Sequence, residues 1–115
     1  MRYQIADIPL ESFGGIYSLV DEKGKRYIGS SKDIRTRVQS HQAHINIFLR
    51  DGADGFINPR IEEAITLGIK FRCEVLARFY CDLTDREKRE IERVFIKKYG
   101  GIDSTYNILP IVHKE

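Results

Sequence analysis

Residues 14 to 29 constrain the fold of this chain more than any other stretch. Gly15-Ile16-Tyr17-Ser18-Leu19-Val20 is β-branched and aromatic, Asp21-Glu22-Lys23-Gly24-Lys25 interrupts it with turn-forming residues, and Arg26-Tyr27-Ile28-Gly29 resumes the extended pattern. Two such runs around a short polar break make a β-hairpin. A three-residue loop, Glu22 to Gly24 with Gly24 left-handed, sets Asp21 against Lys25 and Leu19 against Tyr27, so Tyr17 and Tyr27 share a face of the sheet. A two-residue loop would send the tyrosines to opposite faces, because a one-residue slip inverts every side chain.

The remaining elements follow from period and punctuation. Ser30, Ser31 and Asp33 offer helix caps, and Ile34, Val38, His41, Ile45 and Phe48 follow at spacings of three and four, the stripe of an amphipathic helix of about four turns. After a Gly- and Asp-rich loop at Asp51 to Gly55, Asn58 caps a second helix with Pro59 first, Ile61, Ala64 and Ile65 on its stripe, and Gly68 at its end. Phe71, Cys73, Val75, Ala77 and Phe79 alternate with more polar residues as a strand with one buried face. Thr84 and Glu87 form a capping box for a last helix carrying Ile91, Val94, Phe95 and Tyr99 and stopping at Gly100-Gly101. The expected class is α+β, a small antiparallel three-stranded sheet flanked by about three helices. We expect an N-terminal arm or extra strand at residues 1–13, one domain at 14–109 and a C-terminal tail at 110–115.

Composition narrows the function classes. A chain of 115 residues, 42% hydrophobic and 31% charged, suits one folded domain. No long apolar run suggests a membrane span or secretory leader, and Cys73 and Cys81 lack the number and spacing of a disulfide framework or metal site, so a cytoplasmic location is expected. A net charge of +2 says little about a nucleic-acid partner, but its distribution says more. Residues 21–41 hold six cations against three carboxylates, and residues 86–98 do the same. The plain reading of both is a solvated face.

Several side chains lie where chemistry could use them. Arg37 and His41, one helical turn apart, put a cation and an imidazole side by side, an arrangement suited to phosphate because the guanidinium donates two parallel hydrogen bonds and stays charged. The plain alternatives are a solvated arginine and a hydrogen-bonded, half-buried histidine. Glu92 is more telling. With Ile91 at 0° and about 100° per residue, Glu92 falls near 100°, between Tyr99 near 80° and Ile96 near 140°, inside the apolar arc. A carboxylate there must be ion-paired, reach a cleft or hold a metal, since burying it bare is costly. Tyr17 and Tyr27 read on their own as packing aromatics with hydroxyls at the edge.

Taken together, these residues resemble a known family. Gly15-Ile16-Tyr17, ten residues from tyrosine to tyrosine, then Tyr27-Ile28-Gly29, is similar to the paired signature of the GIY-YIG nucleases. Ser30-Ser31-Lys32-Asp33, Arg37, His41, Glu92 with Ile96, and Tyr106-Asn107-Ile108 continue the likeness to residue 108, with residues 46–70 divergent. The resemblance implies a three-stranded antiparallel sheet with flanking helices and a nuclease site on one face. It implies that Glu92 binds one Mg²⁺ or Mn²⁺, that Tyr17 is a general base or orients the attacking water with Tyr27 beside it, and that Arg37 holds the scissile phosphate. It further implies that His41 assists proton transfer or positions Tyr17 and that Asn107 braces the site. Lys32, Arg35 and Arg37 are the expected nucleic-acid contacts.

The leading expectation is therefore a Mg²⁺-dependent endonuclease acting on DNA, with RNA open as a substrate. The alternatives are a nucleic-acid-binding module with weak or no activity, a nuclease subunit relying on a separate DNA-recognition partner or on homo-oligomerisation, and a protein-interaction domain.

Overall fold

The hairpin closes through a three-residue loop. In the computed structural model of the protein, which describes residues 2–52 and 55–108, the Asp21 amide donates to the Lys25 carbonyl at 3.0 Å and Gly24 sits at φ +91°. A left-handed residue at that point closes the loop, and glycine occupies it without a Cβ clash. The Asp21 Oδ1 also accepts the amides of Lys23 and Lys25 at 2.8 and 2.9 Å, so the turn is pinned by its own first residue.

The strands β1 (Gly15–Val20) and β2 (Arg26–Ser31) pair antiparallel with Leu19 opposite Tyr27 and Tyr17 opposite Gly29. The register that puts Tyr17 and Tyr27 on one face is the one adopted. A third strand, β3 (Arg72–Arg78), pairs antiparallel on the other side of β1, giving the order β2-β1-β3. All six residues of the central β1 are buried.

The pairing of β1 with β3 slips between Ile16 and Tyr17, where Ala77 and Val75 are the successive partners and Leu76 is left over. This bulge breaks the alternation expected for residues 71–79 after Val75: Val75 stays on the face of Cys73, opposite Tyr17, whereas Ala77 pairs with Ile16 on the other face. Phe71 and Cys73 are buried, but Val75 is 38% exposed. Gly15 lies beside the irregularity with no room for a side chain, since a Cβ would stand 2.0 Å from the Ala77 carbonyl oxygen.

Helices cover both faces of the sheet. On one, α1 (Ile34–Asp51) and α2 (Pro59–Thr66) bury Ile34, Val38, Ile45, Ile61, Ala64 and Ile65 against Tyr17, Leu19, Phe71 and Cys73. The cap of α1 is Asp33, whose carboxylate accepts the Thr36 amide, and the helix ends at Gly52 with φ +87°. It is 18 residues long, about a turn more than its apolar stripe implied. Asn58 caps α2 with Pro59 at its start. The N-terminal arm runs extended into this layer, burying Tyr3 and Ile5, with Ala6 bridged to Arg72.

On the other face, α3 (Asp85–Lys98) follows its capping box and lies against β2. It buries no residue completely, and Val94, expected on its apolar stripe, is 65% exposed. Beyond α3, residues 105–107 lie along the outer edge of β2, with Thr105 bridged to Arg26. The expected tail at 110–115 lies outside the described residues.

Candidate active site

At Gly29 the edge strand β2 has no side chain, and the chain fills the gap from the neighbouring strand. The Tyr17 ring lies across this glycine, and a Cβ there would stand 2.5 Å from the Tyr17 hydroxyl. Any side chain at residue 29 would displace the tyrosine, which ties the glycine of the second tripeptide to the tyrosine of the first. The Tyr17 hydroxyl then meets Nε2 of His41 on α1 at 2.7 Å. Tyr27 completes the group with its ring edge-on to that imidazole, 5.8 Å between centroids.

Burial decides the ionisation of these groups. It pushes the Tyr17 hydroxyl well above its ordinary value; the nearby Tyr27 and Glu92 push the same way and Arg37 draws it down. Tyr27 is likewise raised by burial. His41 is driven down to about 3 by burial, with Arg37 and then His44 adding to the effect. The imidazole is therefore neutral at working pH. In the tautomer that leaves Nε2 bare, it accepts the Tyr17 hydroxyl proton.

Arg37 lies one turn before His41, solvent-exposed, and forms no ion pair among the described residues. A cavity of about 50 Å³ lies between its side chain, Tyr27, His41 and Asn58.

Glu92 comes from the opposite layer. It is half-buried on α3 and accepts a hydrogen bond from the Ser30 hydroxyl at 2.8 Å. The salt bridge to α1 that could have accounted for a carboxylate in an apolar arc is not made: among the described residues Glu92 has no ion pair, and its Oε2 has no hydrogen-bond donor. Burial raises its pKa, against the pull of Ser30, Arg89, Arg93 and Arg37. The two helices thus reach round the same strand, with Arg37 and His41 on one side and Glu92 on the other.

Asn107 does not point into this space. Its side-chain amide accepts the Ile28 amide at 2.9 Å and donates to the Ile28 carbonyl at 2.8 Å, taking the place of a neighbouring strand. This locks the one residue between Tyr27 and Gly29. Of the expected nucleic-acid contacts, Lys32 and Arg37 are exposed, whereas Arg35 donates to the Pro9 carbonyl at 2.9 Å and holds the N-terminal arm.

Two contributors gave no signal in the sequence. Ser30 looked like one of several helix caps, yet it carries Glu92. Arg60, near the start of α2, carries no motif signal, but its Nη1 donates to the carbonyls of Ile102, Thr105 and Asn107 at 2.5, 3.0 and 2.7 Å. Asn58 adds a bond to the Tyr106 carbonyl at 2.7 Å. The 102–107 segment cannot be paired with α2 by local pattern, because the contacts span more than forty positions.

The sheet and its flanking helices have the fold of a nuclease-type catalytic domain. The family model of the GIY-YIG catalytic domain matches residues 13–107, most of the chain, and the protein belongs to that family. Neither the curated proteins nor the solved structures compared with it gave a match.

Proposed function

We propose that this protein is a divalent-metal-dependent endonuclease that hydrolyses DNA phosphodiester bonds with Tyr17, Arg37, His41 and Glu92. The observation that carries the reading is Glu92, a half-buried carboxylate that draws no cation of the protein although three arginines lie near enough to affect its pKa. Keeping such a group unpaired is costly unless a ligand uses it.

The residues fit a hard cation. Glu92 offers an oxygen with no protein donor, and Ser30 fixes the other. No cluster of three or more acidic, histidine or cysteine ligands occurs among the described residues, which suits Mg²⁺, an ion that keeps several waters and takes phosphate oxygens. When bound, the ion stabilises charge developing on the phosphate and leaving oxygen.

The protein's own groups divide the rest. Arg37 grips the non-bridging phosphate oxygens and adds positive charge at the reacting centre. Tyr17 stays protonated in the free protein. Its hydroxyl, held in place by Nε2 of neutral His41, orients the attacking water. Tyr27 shields the pair and keeps bulk water away. Asn107 holds β2 so that Tyr27 and Gly29 keep their places.

Supercoiled plasmid incubated with Mg²⁺, with EDTA, and with Glu92→Ala or Arg37→Ala in Mg²⁺ tests the reading. Nicking is expected only in the first case, with losses of about 10²-fold or more for each variant. Equal nicking in all four would sink it.

A further inference from the structure

The charged residues of α3 fall into two groups. Arg86 pairs with Glu90, Lys88 with Asp85, and Glu87 closes the capping box. Arg89, Arg93 and Lys97 are exposed and form no ion pair or side-chain hydrogen bond among the described residues. They recur every fourth position, so they make one row along the helix. Glu92 borders this row, which rims a groove of about 310 Å³ whose lining includes Ile96, Ile102 and Ile108.

We propose that this flank of α3 is a track for the sugar-phosphate backbone of the nucleic-acid strand as it leaves the cleavage site at Glu92. The inference rests on the nuclease reading above and adds to it a direction and a set of contacts. At 1.5 Å per residue the row spans about 12 Å of helix, long enough for its three cations to meet successive phosphates of one strand. Three like charges kept unpaired on one face attract a polyanion, whereas the paired charges on the same helix are already satisfied. The apolar floor receives the sugar faces, which carry no charge to desolvate.

The path also accounts for Arg35. With that side chain spent on Pro9, α1 offers only Arg37 beside the reacting phosphate, and a strand needs further cations elsewhere.

The experiment compares two triple variants of equal charge change. One is Arg89→Ala, Arg93→Ala and Lys97→Ala; the control is Lys23→Ala, Lys70→Ala and Arg86→Ala, all exposed and none lining the groove. Binding of a labelled duplex is followed by fluorescence anisotropy in EDTA across a salt series, with circular dichroism to verify folding. Loss of about three phosphate contacts lowers the slope of log affinity against log salt by roughly 2.7 for the α3 triple, and the control keeps the wild-type slope.

If wild type nicks plasmid while the α3 triple keeps its slope, or both triples lose the same amount, the track is wrong and the nuclease reading stands. A wild-type protein that neither nicks nor binds duplex overturns both. Loss of binding to anionic vesicles with DNA binding intact would reassign the flank to a membrane surface and overturn the proposal.

Discussion

At the scale of single residues, the site depends on two that are out of keeping with their surroundings, one without a side chain and one with the wrong side chain for its place. Gly29 makes room for the Tyr17 hydroxyl. Glu92 sits half-buried with its ionised form disfavoured by burial. A raised folded pKa means that the folded protein holds the proton more tightly than the unfolded chain. The contribution to stability is then fully present at low pH and is lost as pH rises through the folded value. Replacing Glu92 by Gln keeps an acceptor for Ser30 and removes the charge. We therefore expect Glu92→Gln to melt at a higher temperature than wild type at neutral pH without divalent metal, with the difference shrinking at acidic pH. Added Mg²⁺ should raise the melting temperature of wild type alone. Thermal melts with and without Mg²⁺ check this, and a variant that melts lower than wild type at every pH would count against Glu92 as a strained, unpaired carboxylate.

At the scale of elements, the edge strand β2 is held by a relay. Arg60 on α2 fixes the carbonyls of the 102–107 segment, that segment presents Asn107, and Asn107 caps Ile28. A guanidinium bonded to three carbonyls leaves all three wanting when it is removed. Arg60→Ala is expected to cost about 3 kcal/mol of stability, from hydrogen bonds to a charged group worth about 1.5–3 kcal/mol each less what water restores. It should also lower kcat more than it raises KM, since the residue touches no substrate. Urea melts and steady-state nicking measure the two effects; unchanged stability would show that the 102–107 segment holds itself in place.

At the scale of the whole molecule, the site joins layers of unequal strength. The α1–α2 layer buries an extensive apolar cluster, whereas α3 buries no residue completely yet carries Glu92. Elements with few buried contacts open first. Mild urea should abolish Mg²⁺-dependent nicking at a lower concentration than the midpoint of the tyrosine fluorescence transition measured in a Tyr80→Phe, Tyr99→Phe background, where the signal comes from Tyr3, Tyr17, Tyr27 and Tyr106 on the main-core side. Coincident loss of both signals would mean that α3 and the core unfold as one unit.

Local pattern carried most of the architecture. Turn chemistry at Asp21 to Gly24 set the hairpin register, caps at Asn58 and Thr84 set two helix starts, and periodicity set the apolar faces, because each depends on residues a few positions apart. Glu92 was legible as an anomaly for the same reason. What the sequence could not determine were relations over long separations: the bulge that turns Ala77 to the other face, the choice of Ser30 rather than an arginine as the partner of Glu92, the diversion of Arg35 to Pro9, and the clamp from Arg60 to Asn107. Each follows from which surfaces meet when the layers pack, and local propensity cannot encode a contact whose partner lies tens of residues away. The meeting of α1 and α3 at β2 belongs to the tertiary structure alone, since only the sheet brings a helix on each face to the same strand.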